Sequence, residues 1–124
     1  MEEFLVLIIE PEWDSATVTT ADWDNEMTLH NTFMQAVRDA GGEVRDGNAL
    51  AGNAAAVRVR PGKAGAKTII TDGPFMETKE IVSGYYVITA KDMAEATRLA
   101  EICPTGGYLE VHPIFDVSAM TSGE

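Results

Sequence analysis

The chain has 124 residues, with 20 acidic against 9 basic side chains and a formal net charge of −11. That length fits one domain with one core, and that charge opposes non-specific attraction to nucleic acid or an anionic leaflet. A single cysteine, Cys103, leaves no intramolecular disulfide to form, no apolar run approaches the ~20 residues of a membrane-spanning helix, and Met1-Glu2-Glu3 lacks the basic start of a secretion leader. A cytoplasmic protein without direct nucleic-acid or membrane contact is therefore expected, with a single domain over residues 1–117 and a frayed tail over 118–124.

Residues 4–9 are apolar on both alternating faces and are bounded by Glu3 and by Glu10-Pro11-Glu12, the pattern of a strand in the middle of a sheet. Residues 11–20 are polar and irregular, and Thr20 with Asp22 and Asp24 offers a cap and an acidic first turn. Trp23, Met27, His30, Met34, Val37 and Gly41 then recur at helical spacing and Gly41-Gly42 stops the run, which predicts a helix over 21–40. Residues 43–50 read as a strand and Ala51-Gly52-Asn53 as a bend.

Val57 and Val59 alternate with Arg58 and Arg60, Pro61-Gly62-Lys63-Ala64-Gly65 turns, and residues 67–71 return, so the segment is a hairpin. Arg58, Arg60, Lys63 and Lys67 cluster there, which reads most simply as a solvated hairpin with charges on its exposed face. Asp72-Gly73-Pro74 forces a turn, because Gly73 admits positive φ, Pro74 lacks an N–H, and the residue before a proline is pushed out of the helical region. Residues 84–90 form a second strand apolar on both faces. Asp92 with Glu95 resembles a capping box, and Ala96, Leu99, Ala100 and Cys103 make an apolar stripe closed by Pro104, a helix over 93–103. In the last strand, over 107–117, Leu109, Val111, Phe115 and Val117 share one face while Tyr108, Glu110, His112 and Ile114 share the other.

The order β-α-β, hairpin, β-α-β matches an α+β fold, the ferredoxin-like split βαβ arrangement with an inserted β-hairpin. Two helices cover one face of such a sheet, yet residues 4–9 and 85–88 are apolar on both. A second copy of the same sheet is the economical cover, which predicts a homodimer with facing sheets and a cleft or barrel between them.

Thr71-Asp72-Gly73-Pro74-Phe75-Met76-Glu77-Thr78-Lys79-Glu80 is the most specific text in the chain. With residues 5–9, Val57-Arg58-Val59-Arg60, Gly84-Tyr85-Tyr86 and Leu109-Glu110-Val111-His112-Pro113, it closely resembles the YCII-related family, specifically its DGPF branch, over nearly the whole chain. The resemblance implies a dimeric α/β barrel of ferredoxin-like subunits. The wider superfamily includes small-molecule lyases, isomerases and oxygenases, and the broader family resembles enzymes that use a histidine and an aspartate. The resemblance puts that histidine at His30. Asp39, nine residues on and half a turn out of phase, cannot pair with it, so Asp72 is the better aspartate. The branch more usually carries arginine where His112 stands, which makes any anion binding there depend on pH.

The candidate acid/base residues are thus His30, Asp72, His112 and Glu110, with Phe75, Tyr85 and Tyr108 as candidate ligand-binding residues. Each also has a plainer reading. His30 lies on an apolar stripe where a histidine can serve packing alone, and Asp72 can bond its own turn. His112, Glu110 and Tyr108 can form an interface network, and Glu77, Lys79 and Glu80 surface ion pairs. Cys103 reads as packing. Two histidines without short ligand spacing imply no metal site, and no glycine loop leads into a helix to cradle phosphate, so no cofactor is expected. Two functions are consistent with these residues. One is a cofactor-independent enzyme of lyase or isomerase type, moving protons on a small organic substrate in the dimer cleft. The other is a non-catalytic ligand-sensing or protein-interaction module, since the branch resembles accessory domains linked to alternative sigma factors, which implies a transcription-related protein partner.

Overall fold

The computed structural model describes residues 1–12, 17–52, 55–72 and 80–118. In chain order the elements are β1 (Glu2–Pro11), α1 (Thr20–Asp39), β2 (Val44–Ala49), β3 (Val57–Arg60), β4 (Ile69–Asp72), β5 (Glu80–Ala90), α2 (Met93–Ala100) and β6 (Tyr108–Pro113). Strands β2, β5, β1 and β6 form a four-stranded sheet in that order, with all neighbours antiparallel, and β3 and β4 form a separate two-stranded sheet. The order is that of the ferredoxin-like α+β fold, with the β3–β4 hairpin inserted between its two halves.

Local chemistry accounts for the element ends. Thr19, one residue before the expected cap, starts α1: its hydroxyl accepts from the Asp22 N–H at 3.1 Å while the Asp22 carboxylate accepts from the Thr19 N–H at 2.9 Å. Asp92 caps α2 by accepting from the Glu95 N–H at 2.9 Å, and the Glu95 carboxylate reaches back to the Lys91 N–H at 2.9 Å, one residue beyond the cap. The final turn expected for α2 tightens into i→i+3 bonds, Ile102 N–H to Leu99 O and Cys103 N–H to Ala100 O, each 3.0 Å, so the α-helix itself ends at Ala100. Strand β6 stops at Pro113, short of the expected residue 117, and Phe115 and Val117 stand outside it, about 70% exposed.

Both helices pack on one face of the sheet. Phe4, Val6 and Ile8 of β1 and Tyr86, Ile88 and Ala90 of β5 meet Phe33 and Val37 of α1 and Ala96, Leu99 and Cys103 beside them in one core. A register shift between Ile8 and Ile9 in the β1–β5 pairing leaves both buried, at 6% and 8% exposure. The other face carries Leu5, Leu7, Tyr85 and Val87, all half-buried.

The β3–β4 ribbon has Val57, Val59, Ile70 and Asp72 on one face and Arg58, Arg60, Ile69 and Thr71 on the other. Its branched aliphatic side chains are more than half exposed. Among the described residues no helix is long and apolar enough to cross a membrane.

Candidate functional site

The capping box at Thr19 sets the phase of α1 so that Trp23, Glu26, Met27, His30 and Met34 fall along one side of the helix, at spacings of three and four. Opposite them stand the C-terminal end of β1, the end of β2 and the start of the aromatic part of β5. The two surfaces enclose a cavity of about 310 Å³ whose walls include Ile8, Glu10, Asn48, Ser83, Tyr85, Tyr86 and Pro104 together with those five helix residues.

His30 and Tyr86 join the two walls. The His30 Nδ1 lies 2.7 Å from the Tyr86 Oη, a bond between residues 56 apart in sequence, and the rings are tilted 44° with centroids 5.7 Å apart. Tyr86 is held by the core: its ring packs against Phe33 at 4.9 Å, and it is only 8% exposed. On its β2 side it faces Gly47, where a Cβ would lie 2.5 Å from Tyr86 Cδ1, so only glycine lets the ring take this position. Glu26 stands one helical turn before His30 with Oε2 3.6 Å from Nε2, too long for a hydrogen bond. Glu10, at the end of β1, is oriented by the Gly106 N–H, which donates to its Oε2 at 2.7 Å.

Burial dominates the electrostatics of this pair. It holds the His30 imidazole below its ordinary value near 6.5, against the opposing pull of Glu26 and Glu10. It also pushes the Tyr86 phenol up to about 12, with a smaller push from Cys103. Tyr86 therefore keeps its proton, and with Tyr86 as donor to Nδ1 the neutral imidazole carries its own proton on Nε2, the side of Glu26. Cys103 adjoins the same core with its thiol raised to about 12, by burial first and then by Glu26, and is no nucleophile.

The other candidate residues lie elsewhere. β1 pairs Leu5 with His112 and Leu7 with Glu110, and these alternate with Val6, which faces the helices, so His112 and Glu110 lie on the far side of the sheet from His30. There the His112 Nε2 lies 3.2 Å from Glu110 Oε1, and the Tyr108 hydroxyl donates to Glu80 Oε1 at 3.3 Å. The Tyr85 hydroxyl donates to Asp46 Oδ2 and accepts from Asn48 Nδ2, both at 2.9 Å. Asp72 sits at the exposed end of β4, paired with Val57 in the two-stranded sheet. Phe75 and the rest of residues 73–79 lie outside the described residues. The structure thus brings His112, Glu110 and Tyr108 to the sheet face that also carries the Tyr85 side chain, and leaves His30 on the other. Among the described residues, no group of three or more His, Cys, Asp or Glu side chains is placed to hold a metal ion.

Three residues of this candidate site escaped the sequence reading. Glu26 was within reach of it, because a carboxylate four residues before a histidine shares its helix face. Tyr86 was not: Tyr85 and Tyr86 point to opposite faces, and a strand apolar on both gives no local sign of which one meets α1. Glu10 enters only through the β1 register.

Comparison with known proteins adds two findings. The YCII-related domain family matches residues 18–118. An uncharacterised protein of Rhizobium meliloti (strain 1021) is 40% identical over 52 residues, covering 39% of this chain and 42% of that protein.

Proposed function

We propose, from the premise that the chain belongs to the YCII-related domain family, that the cavity beneath α1 is an acid/base site for a small organic ligand. The observation that carries this reading is the 2.7 Å bond between Tyr86 and His30 in the cavity wall; with Tyr86 as its donor, a neutral imidazole presents its Nε2 proton beside a carboxylate. A carboxylate next to a neutral hydrogen-bond donor suits removal of a proton from carbon α to a carbonyl. Glu26 takes the proton, the C–H electron pair moves into the enolate, and the His30 Nε2–H donates to the developing oxygen anion. Tyr86 positions His30 and keeps it in the donor tautomer. Returning the proton to another carbon gives an isomerase, and expelling a β-substituent gives a lyase, neither of which calls for a cofactor.

His112, Glu110 and Tyr108 belong instead to a homodimer interface in this reading. Leu5, Leu7 and Val87 form a half-buried apolar strip flanked by the pairs that these residues and Tyr85 make, and a second copy of the sheet covers it. Leu7→Lys should convert a dimer to a monomer in light scattering; a wild-type chain that is already monomeric removes the proposal.

The test for chemistry is exchange of α-protons for deuterium, followed by NMR across a set of small ketones, keto acids and amino carbonyl compounds. Wild type should accelerate exchange of its ligand, and Glu26→Gln should reduce the rate by roughly 100-fold or more. A rate untouched by Glu26→Gln and by His30→Ala overturns the assignment. Ligand binding without any turnover would favour the second reading, a ligand-sensing module with a transcription-linked partner. That reading is supported by the exposed aliphatic face of the β3–β4 ribbon, with Val57 and Val59 each 53% and Ile70 64% exposed.

A further inference from the structure

The charge of the cavity narrows the class of its ligand. Its lining contains two carboxylates, Glu10 and Glu26, and among the described residues that line it there is no lysine or arginine. The one titratable base, His30, is held neutral by burial. Both carboxylates line the same cavity as His30, and Glu26 Oε2 lies 3.6 Å from its Nε2. The rest of the wall is mainly apolar or aromatic, with Ile8, Met27, Met34 and the indole of Trp23, beside the neutral polar residues Asn48 and Ser83. An anionic ligand would enter a low-dielectric space against two like charges, with no lysine or arginine among the described lining residues to receive it. A cation gains from the carboxylates, from the aromatic faces, and from the approach to a chain carrying −11.

Resting on the reading of the cavity as a ligand site, we propose that its ligand is an organic ammonium ion on a small apolar body, with the ammonium held by Glu10 against the Trp23 face of the cavity. Glu10 is the fitting partner because its carboxylate is already oriented by the Gly106 N–H at 2.7 Å, so little side-chain freedom is lost on binding. Glu26 then stays beside His30 for proton transfer, and the substrate class becomes an amine that also carries a carbonyl group. Two carboxylates at one site therefore have separate tasks, one fixing charge and one moving a proton.

The experiment compares three probes of similar size, phenethylamine, 2-phenylethanol and phenylacetate, by NMR titration of the full chain at low salt. Resonances of the Trp23 indole and the His30 ring report on the cavity. Phenethylamine should bind about tenfold tighter than 2-phenylethanol, the gain expected of one charge-assisted hydrogen bond, and phenylacetate should bind weakest. Glu10→Gln keeps an acceptor oxygen for the Gly106 N–H and so preserves the loop, but it should abolish the preference for the amine. Asp39→Asn, which removes the same charge from the exposed end of α1, should leave the preference intact. Equal binding of the amine and the alcohol at the cavity, or a preference for phenylacetate, overturns the ammonium assignment while leaving the ligand site standing. Failure of all three to shift either resonance overturns both. A preference that falls equally in Asp39→Asn and Glu10→Gln reports only bulk charge and also overturns the assignment.

Discussion

Replacing Tyr86 with phenylalanine removes one oxygen atom and leaves the ring in place, which makes it the sharpest probe of the site. The ring's packing on Phe33 at 4.9 Å and its burial, 8% exposed, carry over unchanged. The loss is confined to the O–H bonded to His30 Nδ1 at 2.7 Å. A net hydrogen bond contributes about 1 kcal/mol, and an acceptor left bare in a dry core costs up to ~3 kcal/mol. The His30 side chain is 21% exposed and borders a cavity, so water can replace the lost donor and the lower figure applies. Urea or thermal unfolding should therefore show a loss of about 1 kcal/mol, equivalent to roughly 4 °C in Tm for a chain of this size. The diagnostic effect is on the imidazole, because without the Tyr86 donor only the more distant Glu26 carboxylate favours the proton on Nε2 and the preference weakens. Nitrogen-15 NMR of the His30 ring should show a single Nε2–H tautomer in wild type and a mixture in Tyr86→Phe. An unchanged tautomer, or a loss of several kcal/mol, would refute the argument, the first by showing that Tyr86 does not set the tautomer and the second by showing that the phenol holds the core.

Further expectations follow from the same geometry. His30 has a folded pKa below its ordinary value near 6.5, so between the two values the unfolded chain binds more protons. Its contribution to stability is present above 6.5 and is lost as pH falls through the folded value; urea midpoints measured across this window in wild type and His30→Gln should show the slope in wild type and its reduction in the variant. Gly47→Ala puts a Cβ 2.5 Å from the Tyr86 ring and should cost about 1–3 kcal/mol in denaturant unfolding while disturbing the His30 resonances much as Tyr86→Phe does. The Cys103 thiol, 5% exposed and raised to about 12, should resist a thiol reagent in native protein at pH near 8 and react at once in denaturant.

Element type and order were legible because their signals are local. Six consecutive apolar residues from Phe4, bounded by Glu3 and Glu10, make a short strand apolar on both faces. The Trp23–Val37 spacing makes a helix, and glycines and prolines punctuate both. The ferredoxin-like order follows, since few topologies accommodate that succession of elements. Local signals faded at the ends. The cap moved from Thr20 to Thr19 because either threonine satisfies the pattern and only the backbone chooses, and β6 stopped at Pro113 although the alternation ran on to Val117.

The candidate site was legible by half. His30 stood out as a polar residue on an apolar helix stripe, which is a property of a few neighbouring residues. Its partner was set by the pairing of β5 between β2 and β1, since a shift of one residue would have presented Tyr85 to the helix and Tyr86 to the far side. The same parity sent His112 and Glu110 away from His30, although all three are polar residues beside apolar ones in the text. What the sequence by itself determined was therefore the list of elements and the residues capable of chemistry. Which of them share a cavity was decided by strand register, a property of contacts between residues 35 or more apart in the chain, on strands whose two faces are equally apolar.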